Sequence, residues 1–142
     1  MEISWELVDH FQRSFGEQAA FDRAREFMFA YVSQLQTPLP TIAARTMDIA
    51  RKFREGSATL DERNQVQADT WRYVSEQKAW GDSTTGEYCI MRALTVLVRD
   101  RLGPGEEHIS EVIDWFLFYV DKFENHSENA PVLIRQFFSD EQ

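Results

Sequence analysis

Apolar residues recur along this chain at intervals of three and four, and no strict apolar–polar alternation persists for the length of a strand. Ile3, Leu7, Val8, Phe11 and Phe15 form a first helical stripe that stops at Gly16, the residue type most often found just past a helix end. Ala20, Ala24, Phe27, Met28, Tyr31 and Leu35 form a second. Thr37-Pro38-Leu39-Pro40 ends it, because proline disfavours helix in the residue before it. A third helix is expected to start on Thr41 as cap, turn Ile42, Ile49, Ala50 and Phe53 inward, and close at Gly56. Thr59-Leu60-Asp61-Glu62 matches a capping box, with Thr59 as N-cap and Glu62 reaching back to its amide. The fourth helix carries Val66, Tyr73 and Val74, with Trp71 and Trp80 in looser register. This weakest stripe predicts an edge position.

Gly81 to Thr84 reads as a loop, and Thr84 with Glu87 offers a second capping box. A fifth helix runs through Ile90, Ala93, Leu94, Leu97 and Val98 to Leu102, where Gly103-Pro104-Gly105 breaks it. Glu106 and Glu107 suit the start of a sixth, since acids favour the positive end of the helix dipole. Its stripe is Ile109, Val112, Ile113, Phe116, Val120 and Phe123; Trp115, Phe118 and Tyr119 add a second apolar face. That extra face predicts central burial, or contact with the seventh helix or a second chain. The seventh helix spans about Pro131 to Phe138, with proline in its tolerant first turn. The boundaries expected are 4–15, 17–36, 41–55, 60–79, 85–102, 107–123 and 130–138. The core should hold Phe27, Tyr31, Phe53, Leu94, Ile113, Phe116 and Val120.

This pattern specifies an all-α fold, a single-domain bundle of six to seven helices over residues 1–142. The length suits one domain that needs no disulfide or metal to hold its core. Aromatic residues make up 13% of the chain, which argues against disorder. Cys89 is the only cysteine, so an intramolecular disulfide and an all-cysteine metal site are excluded. The N-terminus lacks the basic-then-apolar order of a secretory signal, and the longest apolar run, Trp115 to Val120, is six residues. A cytoplasmic protein without membrane contact is expected, with Cys89 a reduced thiol.

The residues that could carry chemistry are scattered. His10, His108 and His126 lie on separate elements, and neither His-Glu-x-x-His nor Glu-x-x-His occurs. His108 and Glu111 stand three apart in the reverse order and read as a surface pair, so no metal and no cofactor is expected. Cys89 lies near the start of the fifth helix, where the dipole would lower a thiol pKa, but beside Ile90 and Met91 it reads as a small packing residue. No Gly-x-Ser-x-Gly elbow and no glycine-rich phosphate loop is present. Arg45, Arg51, Lys52 and Arg54 cluster on the third helix, but Asp48 and Glu55 are interleaved with them, so no nucleic-acid partner is expected. Trp71, Tyr73, Trp80 and Tyr88 surround the Gly81 loop and read as packing for one end of the bundle.

Charge changes the picture more than composition does. The chain carries a net −9, and residues 106–142 hold nine acids against Lys122 and Arg135. Such a field repels nucleic acid and attracts a basic partner. Glu107, Glu111 and Asp114, spaced by four and three, fall on one outward face opposite the apolar stripe, followed by Asp121, Glu124 and Glu128. Solvated and unenclosed, this face suits partner contact or solubility rather than acid–base catalysis. The candidate partner-binding set is these six acids with Trp115 and Tyr119.

Ala43-Ala44-Arg45, Ile49-Ala50-Arg51, Phe53, Gly56 and Ala58-Thr59, followed by another helix, resembles the helix–Gly–helix unit of small all-helical bacterial toxin-immunity proteins. The resemblance covers about 40 residues of the 142. It implies a non-enzymatic cytoplasmic protein that neutralises a toxin by direct binding, and the acidic surface implies a basic, nuclease-like target. The alternatives are a phage-encoded acidic inhibitor of a host nucleic-acid defence complex, a small-ligand or enzymatic helical bundle with a site near Cys89 and Trp80, and a homodimer joined through Trp115, Phe118 and Tyr119.

Overall fold

The computed structural model describes residues 2–79 and 85–139. Among them the chain forms seven α-helices and no strand: α1 (Trp5–Phe15), α2 (Glu17–Ser33), α3 (Thr41–Arg54), α4 (Leu60–Ala79), α5 (Gly86–Leu97), α6 (Ile109–Phe123) and α7 (Ala130–Phe138), with a 3₁₀ turn at Ser127–Asn129 before the last. Gly16 joins α1 to α2 directly, closing one helix through its amide to the Gln12 carbonyl and opening the next.

The α3–α4 hairpin follows from local chemistry. Gly56 takes φ +80°, a left-handed conformation that costs glycine little. Its amide donates to the Phe53 carbonyl and the Ser57 amide to the Lys52 carbonyl, the paired bonds of a Schellman end. Three residues later the Glu62 amide donates to Thr59 Oγ1 at 3.1 Å while Glu62 Oε1 accepts from the Thr59 amide at 3.0 Å, the capping box expected there. At the start of α3 the cap expected of Thr41 is absent: Pro40 holds the N-cap position and Thr41 is the first helical residue. The Thr84 cap lies outside the described residues, and α5 is capped by Thr85, whose side chain accepts from the Tyr88 amide.

A single core cluster joins all seven helices, and α5 lies at its centre, packed on α6, α4, α3 and α2. Every residue of α5 from Tyr88 to Leu97 is buried except Arg92. The helix with apolar residues on most sides in the sequence is α6, but it is α5 that is enclosed. The α6 helix keeps one side open through Glu111, Asp114, Phe118 and Lys122. The α7 helix packs on α1 and α2. As expected of a weak stripe, α4 lies at the edge, packing on α3 and α5.

Other expectations fail in part by rotation or length, and α2 ends at Ser33 rather than residue 36. On α3 Ala50 is buried and Ile42 and Ile49 pack half-buried against the core as expected, but Ala43, Thr46 and Met47 fill the other buried positions and Phe53, expected in the core, is only half-buried. Phe53 moves to the rim of the hairpin, where the Arg63 guanidinium lies 5.1 Å from its ring centroid. The α5 helix ends at Leu97 rather than Leu102, and α6 starts at Ile109 rather than residue 107. Residues 98–108 instead form a connection tied by Glu106, whose Oε1 accepts from Arg99 Nη2 at 2.7 Å and from the Gly103 amide. A Cβ at Gly103 would lie 2.9 Å from Arg99 Nη1 and 3.0 Å from Glu106 Oε1, so a side chain there would push the ends of both clamp residues aside.

Candidate functional site

The outward side of α6 is set by its inward one. Ile109, Val112, Ile113, Phe116, Leu117 and Val120 are buried, which turns Glu111, Asp114, Phe118 and Lys122 to solvent. Phe118 is 57% exposed, high for a phenylalanine. Its ring stacks edge-on with Tyr119 at 5.3 Å, Tyr119 stacks with Trp115 at 4.7 Å, and Lys122 Nζ lies 4.7 Å above Phe118. The result is an exposed aromatic residue with two free carboxylates on the same stripe.

The six acids chosen from sequence divide into two groups. Glu107, Glu111, Asp114 and Glu128 are exposed. Asp121 and Glu124 bond within the fold. Asp121 Oδ1 accepts from the Tyr31 hydroxyl at 2.6 Å, joining α6 to α2. Burial pushes the Asp121 carboxyl above its ordinary range despite that hydrogen bond, and burial together with Asp121 pushes the Tyr31 hydroxyl up. Glu124 holds the α2–α3 connection, accepting from the Gln36 amide at 3.0 Å and the Thr37 amide at 2.6 Å, and it also meets His126. Hydrogen bonds from Thr37 and Gln36 hold its carboxyl down to about 2. Charge patterning could not separate these two acids from their exposed neighbours, because their partners lie about 90 residues away in sequence.

Trp115 and Tyr119 are half-buried around a residue that sequence reasoning missed, Arg92 of α5. Its guanidinium carbon lies 4.4 Å from the Trp115 ring centroid, 4.9 Å from Trp71 and 5.8 Å from Tyr119. Trp115 and Tyr119 of the second aromatic face of α6 thus meet α5 through Arg92, which also lies over Trp71 of α4, while Phe118 stays exposed. The available signal was an arginine within an otherwise apolar helix. Beside it a cleft of about 310 Å³ opens between α4, α5, α6 and the 98–108 connection.

The remaining candidates fall elsewhere. Cys89 is buried, and desolvation raises its thiol pKa, the reverse of what a helix N-terminus alone would do. Trp80 and Gly81 lie outside the described residues; Tyr88 is buried, and the Tyr73 hydroxyl bonds Glu87. The basic cluster of α3 is engaged: Arg51 pairs with Asp48 and Glu55, Lys52 with Asp48, and Arg45 with Asp69. His108 and Glu111 both line the cleft. Among the described residues no group of three or more His, Cys, Asp or Glu is placed to hold a metal, and no helix is long and apolar enough to cross a membrane.

No family profile, curated protein or solved structure matches this chain.

Proposed function

We propose that this chain is a non-enzymatic protein-binding module that neutralises a basic, nuclease-like protein, as the immunity proteins resembled by its α3–α4 segment do. The observation that carries the reading is the outward face of α6, where an exposed Phe118 shares one stripe with exposed Glu111 and Asp114. Aromatic side chains are favoured binding anchors when a partner covers them. Acids beside such an anchor speed encounter with a basic surface and discriminate against acidic ones. Glu107 and Glu128 extend the negative field along the C-terminal part of the chain.

The test is parallel affinity capture with the wild type and the Glu111→Lys/Asp114→Lys variant, followed by association kinetics on the captured protein across a salt series. A basic toxin retained by the wild type, with association that slows as salt rises and is slower for the variant, supports the reading. Exposed charges are screened over about 8 Å at physiological ionic strength, so the difference between the two proteins should shrink at high salt. Capture of a nucleic-acid defence complex supports the phage-inhibitor alternative. Equal association rates at every salt concentration would refute a role for the acidic face.

A further inference from the structure

The cleft beside Arg92 has a chemistry that the α6 surface does not explain. Arg92 is a cation on the most buried helix of the bundle, and among the described residues no carboxylate lies within ion-pair distance of it. Its charge is met by the rings of Trp115, Trp71 and Tyr119. The side chain is also held in place: Arg92 Nη1 donates to Thr95 Oγ1 at 3.1 Å, and that hydroxyl donates to the Arg92 carbonyl at 2.6 Å. A guanidinium has five N–H donors in a planar fork, and the bond to Thr95 uses one of them. The other cation lining the cleft, Arg99, is neutralised by Glu106 at 2.7 Å.

We infer that this cleft binds the carboxylate of a small aromatic acid, with Arg92 as the anchor and Trp71 and Trp115 as the walls against which the ring packs. A guanidinium held by Thr95 and, among the described residues, without a carboxylate in ion-pair distance fits a carboxylate through paired charge-assisted hydrogen bonds. The cleft is of the size that small ligands occupy, and its indole walls favour an apolar planar body. One free positive charge suits a monoanion. A phosphate would bring a second negative charge toward Glu111, which lines the same cleft. This inference differs from the protein-binding reading in its ligand, which is small, and in its anchor, which lies on α5, although Glu111 and Trp115 line the cleft as well.

The experiment is an NMR titration of the intact chain, following the Arg92 Nε–H and the indole N–H groups of Trp71 and Trp115. The probes are 3-phenylpropanoate, its methyl ester, phenethylamine and inorganic phosphate. Saturable shifts of all three signals with 3-phenylpropanoate, absent with the ester and the amine, are expected. Arg92→Gln should weaken 3-phenylpropanoate binding by about tenfold or more, as loss of a charge-assisted pair implies. Trp71→Ala, at a partly exposed ring, should weaken it while leaving the circular dichroism spectrum unchanged. The ester comparison needs no variant, so a destabilised Arg92→Gln would not obscure the result. Equal binding of acid and ester, tighter binding of phosphate, or no saturable shift with 3-phenylpropanoate would overturn the inference.

Discussion

Phe116 and Phe118 are the same residue type on the same helix, two positions apart, and the fold assigns them opposite fates. Phe116 is fully buried, with its ring edge-on to Tyr31 at 6.4 Å, whereas Phe118 is 57% exposed. Replacing Phe116 by Ala removes a ring from a closed site where α6 faces α2, and should cost about 3–5 kcal/mol through lost burial and the residual cavity. Phe118→Ala withdraws less than half a ring from contact. With about 1.5–3 kcal/mol for complete burial of such a side chain, that loss is about 1 kcal/mol. Urea unfolding followed by circular dichroism at 222 nm checks both, and the midpoints can be compared directly if the two variants keep the wild-type slope. The same pair separates stability from binding: Phe118→Ala should leave a folded protein with weakened partner capture. Equal losses of stability, or a larger loss for Phe118→Ala, would mean that α6 is rotated from the orientation described and that its acidic stripe does not face solvent.

Two further variants test local devices. Thr59→Ala deletes the capping-box hydroxyl at the start of α4 and should lower stability by about 1 kcal/mol, measured by the same urea series, with Thr59→Ser largely restoring it. Glu124 has a folded-state carboxyl pKa depressed to about 2, so its contribution to stability is complete above its ordinary value near 4.5 and is lost as pH falls from there toward 2. Glu124→Gln should therefore flatten the acid limb of a thermal-stability profile between about pH 4.5 and 2; a profile parallel to the wild type across that window would show that the Gln36–Thr37 anchor contributes nothing.

The sequence by itself determined the helices, their order and most of their ends, because those depend on neighbours a few residues apart. The Schellman bonds at Gly56, the Thr59–Glu62 capping box and the α7 span can all be read from local residue types. Helical spacing also identified Phe27, Tyr31, Leu94, Ile113, Phe116 and Val120 as core. Tertiary structure decided which apolar face wins when a helix has two. On α3 the inward places go to Ala43, Thr46, Met47 and Ala50, while Phe53 sits half-buried beneath the Arg63 guanidinium. The α5 helix became the central one because α6 turns one charged side to solvent. The candidate site divides in the same way. The exposure of Glu111 and Asp114 follows from the buried stripe opposite them, a local periodicity. The roles of Asp121, Glu124 and Arg92 do not, because Tyr31, Thr37, Trp71 and Trp115 come within reach only when distant segments pack together.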